Sequence, residues 1–121
     1  MKVLVIDDDP DVVRIIRAAF RRRQPDVQVI AAGGGLEGIE QARSEEPQGI
    51  ILDLGLPDID GLEVCRKIRE FSSAPILVLT AKLESAYRLR AMEMGSNEFM
   101  SKPFTNAELI NRMIKLIENP D

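Results

Sequence analysis

The stretch that decides the fold is Ile50-Ile51-Leu52-Asp53-Leu54-Gly55-Leu56-Pro57-Asp58-Ile59-Asp60-Gly61. It opens as an aliphatic run behind Gly49 and closes in turn formers. An aliphatic run bounded in this way reads as a strand buried on both faces. Asp53 stands where that strand runs out. In an open parallel sheet the carboxyl ends of the strands form the edge where ligands bind. A carboxylate there is either a cap for the loop that follows or part of a site. This stretch alone leaves both readings standing, and the other strand ends separate them.

Toward the N-terminus, Lys2 to Asp7 is a second short aliphatic run ending in acid, with Asp8, Asp9 and Asp11 close behind. Asp9-Pro10 reads as an N-cap followed by proline at the first helical position. The helix it opens is expected to reach about Arg23, with Val13, Ile16 and Phe20 inward. Arg21-Arg22-Arg23 is either a solvated helix end favoured by the macrodipole or a docking patch for an acidic partner. Val27 to Ala32 is expected to be a strand. Gly33-Gly34-Gly35 then leads into a helix with Leu36, Ile39 and Ala42 inward, ending before Pro47. The three glycines match neither Gly-x-x-x-x-Gly-Lys nor Gly-x-Gly-x-x-Gly, and they read as a mobile turn.

Toward the C-terminus, Asp60 is expected to cap a helix that turns Leu62, Cys65 and Ile68 inward. Pro75 to Thr80 reads as a strand. Leu83 to Met94 reads as a helix closed by Gly95 as the residue after its end. Glu98 to Lys102 is a short strand. Thr105 and Glu108 form a capping box for a last helix whose apolar face carries Leu109, Ile110, Met113, Ile114, Leu116 and Ile117. Strand and helix therefore alternate five times. That pattern implies an α/β fold, a parallel sheet with helices on both faces.

Composition sets the bounds. A chain of 121 residues is expected to be one domain, 1–121, with a single core. No apolar run approaches the ~20 residues that span a bilayer, and a strand starting at Lys2 leaves no room for a signal peptide. Lone Cys65 cannot form an internal disulfide, which favours a reducing, cytoplasmic setting, and it reads as a small buried hydrophobe. The chain has no histidine. A histidine-based triad, a histidine-ligated zinc and a phosphohistidine on this chain are therefore excluded. A net charge of -4 argues against nucleic-acid contact by this segment.

The strand ends line up as Asp7 and Asp8, then Asp53, then Thr80, then Lys102 followed by Pro103. Carboxylates gathered at one edge need a counter-charge. A lysine and a divalent cation would supply it, and hard oxygen ligands suit Mg²⁺ (or Mn²⁺). A metal beside a carboxylate, a hydroxyl and an ammonium is what phosphoryl transfer requires, with Asp53 as nucleophile. Each piece is common alone; their joint occurrence at four strand ends is not.

These motifs (Val-Ile-Asp7-Asp8-Asp9-Pro, Leu-Asp53-Leu-Gly-Leu-Pro57-Asp-Ile-Asp-Gly61, Leu-Thr80-Ala81-Lys82 and Ser-Lys102-Pro103-Phe104) resemble those of the receiver domains of two-component response regulators, over essentially the whole chain. The resemblance implies a flavodoxin-like doubly wound fold, five parallel strands in the order 2-1-3-4-5 with five helices. It implies a phosphorylation-activated signalling switch rather than a free-standing enzyme, with Asp53 accepting a phosphoryl group from a sensor histidine kinase or phosphotransfer protein. Asp8, Asp53 and the Gly55 carbonyl would bind Mg²⁺ directly and Asp7 through a water. Thr80 and Lys102 would each hold a phosphoryl oxygen, a cis Lys102-Pro103 bond would aim the lysine, and Phe99 would be the switch aromatic. Gly55 and Lys82 depart from the commoner residues at two rim positions.

The fourth helix is expected to offer two apolar arcs, Ala86-Leu89-Met92 and Tyr87-Ala91-Met94. One must face the core; the other is either part of a wide buried face or a partner surface. Arg90, Glu98, Glu108 and Arg112 resemble the charged dimer face of receivers that drive winged-helix transcription factors. That would pair Arg90 with Glu108 and Glu98 with Arg112 across a two-fold axis. Ordinary surface charge, including a local Glu108–Arg112 bridge, is the alternative. Two rival functions fit less well. An aspartate-nucleophile phosphohydrolase would carry a second acid where Gly55 stands, and a flavin carrier would need a phosphate loop and stacking aromatics.

Overall fold

A computed structural model describes residues 1–81 and 85–119 (for 85 and 86, the backbone alone). Strands and helices alternate: β1 (Lys2–Ile6), α1 (Pro10–Arg23), β2 (Gln28–Ala32), α2 (Gly35–Glu45), β3 (Gly49–Leu52), α3 (Gly61–Arg69), β4 (Ile76–Thr80), α4 (Ser85–Glu93), β5 (Glu98–Ser101) and α5 (Asn106–Glu118). All strand pairs are parallel and their order is β2-β1-β3-β4-β5, as expected.

The central strands are aliphatic without interruption because helices cover both faces of the sheet. Alternate side chains serve opposite layers. Leu4, Ile6, Ile50, Leu52, Ile76 and Val78 pack with Ile39, Leu62, Cys65 and Ile68 beneath α2, α3 and α4. Val3, Val5, Ile51, Leu77 and Leu79 pack with Ile16, Phe20, Leu109, Ile110 and Met113 beneath α1 and α5. Each fully buried Leu, Ile or Phe contributes roughly 1.5–3 kcal/mol, and Leu4, Ile6, Ile50, Leu52 and Phe20 are fully buried.

Register brings the strand ends to one edge, with β4 and β5 running two residues beyond β1 and β3, since Leu52 lies opposite Val78. Ile6 lies opposite Leu52, and Thr80 opposite Ser101. The next amides continue the ladder: Asp53 N–H donates to the Ile6 carbonyl (2.9 Å), Asp7 N–H to Ala32 (3.1 Å) and Lys102 N–H to Thr80 (3.0 Å). The strands stop one residue earlier than expected, at Ile6, Leu52 and Ser101. Asp7, Asp53 and Lys102 are thus the first residues beyond them.

Caps set the helix starts. The side chains of Asp9, Asp60 and Thr105 accept amide hydrogen bonds from Asp11, Leu62 and Glu108. Gly95, at φ +105°, follows α4 as expected. The Lys102-Pro103 bond is cis. Arg69 joins the end of α4 to α3 and to the start of β4. Its guanidinium donates to the carbonyls of Gly95 (2.9 Å), Ser72 (3.1 Å) and Ala74 (2.7 Å) and to Asn97 Oδ1 (2.8 Å).

Two expectations need correction. Leu36 does not face the core; it is 60% exposed. The inner face of α2 is Gly35, Gly38, Ile39 and Ala42. The helix lies so close to the sheet that a Cβ on Gly38 would stand 2.6 Å from Ile6 Cδ1. Nor do the three glycines form one open turn, since Gly35 is buried and already begins α2. On α4, Ala91 is fully buried with Tyr87 and Met94 packed beside it, while Leu89 and Met92 are exposed. Leu83, Lys82 and the side chain of Ala86 lie outside the described residues.

Candidate functional site

The strand ends converge on a small acidic pocket. Asp7, Asp53 and Thr80 are buried and Asp8 is exposed. Lys102 Nζ donates to Asp7 Oδ2 at 2.8 Å and stands 3.5 Å from Asp53 Oδ2. Asp7 Oδ1 accepts from the Asp9 amide at 2.9 Å, and Asp53 Oδ1 from the Gly55 amide at 3.2 Å. A Cβ on Gly55 would lie 3.8 Å from Asp53 Oδ2, so its absence leaves that side of the carboxylate open.

Burial pushes the Asp7 carboxyl above the usual aspartate range. The hydrogen bonds from Lys102 and the Asp9 amide pull it back only in part, and the neighbouring Asp53 pushes it further. For Lys102 burial is the largest single influence and lowers the ammonium, but Asp7 and Asp53 together outweigh it and leave it raised. Asp7 is thus held up mainly by its burial, with the charge of Asp53 adding to it.

One carboxylate oxygen from each of Asp7, Asp8 and Asp53 lies within 4.8 Å of the others. The donors are all hard oxygens, and ionising all three leaves a surplus of negative charge over Lys102. Both properties fit a divalent cation of the Mg²⁺ type.

Asp7, Asp8, Asp53, Gly55, Thr80 and Lys102 are thus gathered at one edge. Phe99 is half-buried on β5 against the layer beneath α4, with the Arg88 guanidinium 5.2 Å from its ring centroid. Glu98, Glu108 and Arg112 meet within one chain: Arg112 reaches Glu98 at 3.1 Å and Glu108 at 3.7 Å. No ion pair joins exposed Arg90 to these three residues. Sequence reasoning missed Asp58. Its carboxylate accepts from the amides of Gly35 (2.8 Å) and Leu36 (3.0 Å), which hold it below the usual aspartate range. Those partners are more than twenty positions away, so no local motif announces them.

The chain matches the response regulator receiver domain family over residues 3–114. It belongs to that family. The receiver is 38% identical to the alkaline phosphatase synthesis transcriptional regulatory protein PhoP of Bacillus subtilis (strain 168), over 96% of this chain and 48% of that protein. It is 37% identical to the transcriptional regulatory protein KdpE of Mycobacterium tuberculosis (strain ATCC 25618 / H37Rv), over 92% of this chain and 48% of that one. The receiver therefore spans about half the length of these curated relatives. Among solved structures, the BeF3-activated N-terminal receiver domain of Klebsiella pneumoniae RstA superposes with a TM-score of 0.90 at 28% identity. That match covers 98% of this chain and 100% of the other. Among the described residues no helix is long and apolar enough to cross a membrane.

Proposed function

We propose that this receiver is a phosphorylation-activated switch, with Asp53 taking the phosphoryl group from a phosphohistidine on a sensor histidine kinase or phosphotransfer protein. The observation that carries the reading is Lys102 Nζ within reach of Asp7 and Asp53 at once, beside a third carboxylate from Asp8. An Asp53 oxygen forms the new P–O bond as the P–N bond to the partner's imidazole breaks, and the imidazole nitrogen keeps the electron pair. Lys102 is placed to turn from Asp53 to a phosphoryl oxygen, a charge-assisted contact. The Thr80 hydroxyl, at the end of β4, takes another phosphoryl oxygen. Asp8, Asp53 and the Gly55 carbonyl would hold Mg²⁺ (or Mn²⁺) directly, and Asp7 through water. When bound, the ion neutralises charge on the phosphoryl oxygens. The receiver's own chemistry is confined to gaining and losing this group.

Adding about two negative charges at Asp53 is enough to bias a two-state element. That element is the α4–β5–α5 face, with Thr80 and Phe99 linking it to the site. In the whole protein this serves transcription regulation, as the names of the relatives suggest for them. Dimerisation through Arg90, Glu98, Glu108 and Arg112 would replace the Glu98–Arg112 and Glu108–Arg112 pairs within one chain by Arg90–Glu108 and Glu98–Arg112 pairs between two. Exposed pairs contribute ~0–1 kcal/mol each, so such a dimer is phosphorylation-dependent and salt-sensitive. Sedimentation of the beryllofluoride-treated protein tests it: Arg112→Glu should stay monomeric, and Glu98→Arg added to it should restore association.

The central test is incubation with acetyl phosphate and Mg²⁺ followed by intact mass. The wild type should gain one phosphoryl group and Asp53→Asn none, with its circular dichroism unchanged. A labelled Asp53→Asn protein would place the acceptor elsewhere.

A further inference from the structure

The loop from Asp53 to Asp60 carries Gly55 and is fixed at its far end. Asp60 caps α3 through the Leu62 amide at 2.9 Å. Gly61 runs so close to the loop's start that a Cβ would stand 2.5 Å from Leu54 Cα. Between these ends Leu56 and Ile59 pack against the core, and Asp58 adds a polar tie to α2. Asp58 Oδ1 accepts from Gly35 N–H and Oδ2 from Leu36 N–H. These are first-turn amides of α2, whose donors have no partner within the helix, and the helix dipole favours a carboxylate there.

The triple glycine gives independent evidence for the same contact. Around Gly33 a Cβ would meet nothing within 4 Å. On Gly34 it would stand 3.1 Å from Asp58 Oδ2, and on Gly35 2.6 Å from Ile59 Cγ1. Gly34 has the extended dihedrals φ -157° and ψ 170°, open to any residue, so it is space and not backbone conformation that asks for glycine. Two of the three glycines thus face the Asp58-Ile59 segment.

We infer that Asp58 is a positioning residue for the metal site: it docks the loop that carries Gly55 onto the N-terminus of α2. The inference rests on the reading of Asp7, Asp8, Asp53 and Gly55 as Mg²⁺ ligands. The docking closes a ring of contacts around the pocket. Asp7 N–H is bonded to the Ala32 carbonyl, at the start of the segment that leads into α2. Asp58 ties α2 to the loop, and Asp53 N–H ties the loop's start to the Ile6 carbonyl, next to Asp7. With the ring closed, the Gly55 carbonyl is placed before the ion arrives. With it open, binding must also order the loop, and affinity falls.

Titration calorimetry with MgCl₂ on the whole chain tests this, with circular dichroism confirming that each variant is folded. Asp58→Ala should raise the Mg²⁺ Kd by about tenfold, the low end for losing a group that orients a metal ligand. Gly34→Ala should weaken binding in the same direction, because its methyl crowds the Asp58 carboxylate. Gly33→Ala should bind as the wild type does. The deciding readout is the double variant. Once Asp58 is alanine, Gly34→Ala should have no further effect, a silence that general destabilisation would not produce. An unchanged Kd in Asp58→Ala overturns the inference, as do losses that simply multiply in the double variant. Should Asp58→Ala fail to fold, a Gly34→Ala protein with wild-type affinity overturns it as well. A wild type that takes up no Mg²⁺ instead overturns the metal reading beneath it.

Discussion

α3 and α4 are neighbours in one layer, each nine residues long, and they meet the sheet in opposite ways. α3 starts at a side-chain cap and buries Gly61, Leu62, Val64, Cys65 and Ile68. Among its described side chains α4 buries Ala91, half-buries Tyr87 and turns Leu89 (65%) and Met92 (49%) to solvent, with half-buried Met94 just beyond its end. Beyond its C-terminal end, Cys65 Sγ donates to the Met94 carbonyl at 3.4 Å and Arg69 holds Gly95 and Asn97. Displacing a segment costs about what its buried contacts are worth, so elements that move come from the weakly buried end of the range. α3 is built as frame, whereas the described part of α4 is the more weakly seated of the two, as the proposed switch would need.

The contrast is broken most easily at α3. Ile68→Ala should cost about 2–5 kcal/mol, the range for truncating a fully buried aliphatic, read from urea midpoints at constant m-value. A loss below about 1 kcal/mol would mean that α3 is no better seated than α4.

Alkaline pH should act on α3 through Cys65. Burial pushes its thiol from 9.0 up to about 11, against a small downward pull from Arg69. The group is raised in the folded state, so its contribution is full below about pH 9 and is lost as pH climbs through the folded value. In that window the unfolded chain has already given up the proton. Two units correspond to roughly 2–3 kcal/mol. Urea titrations at pH 8 and pH 11 should show the wild type losing that much more than Cys65→Ala; parallel losses would remove the thiol from the account.

Asp60→Ala should cost about 1 kcal/mol, the usual worth of an N-cap, and should speed hydrogen exchange in the first turn of α3. The smallest effect is expected on the exposed arc of α4. Leu89→Gln should change stability by less than about 0.5 kcal/mol, and a larger loss would show that this arc is seated after all.

Much of this was legible in the chain because parallel strands write themselves as aliphatic runs and end in chemistry. Asp7, Asp53, Thr80 and Lys102 could be placed from strand ends alone. Periodicity failed where contact is made by residues without side chains. α2 approaches the sheet on Gly35 and Gly38, so the apolar pattern pointed to Leu36, which lies outside. It also could not choose between the two arcs of α4, because the decisive residue is the small Ala91. Asp58 was out of reach for a different reason: a carboxylate serving amides on another element leaves no mark in its own neighbourhood.

The Arg69 clamp bears on how α4 would move in the proposed switch. A guanidinium bonded to Gly95, Asn97, Ser72 and Ala74 pins one end of the helix to the frame, so a displacement of α4 would be a rotation about that pivot. Nine residues make a lever arm of about 13 Å, so a swing of about 10° would carry its far end about 2 Å while the pivot stayed put. The amplitude of such a device is fixed by the length of the helix and the place of its pin.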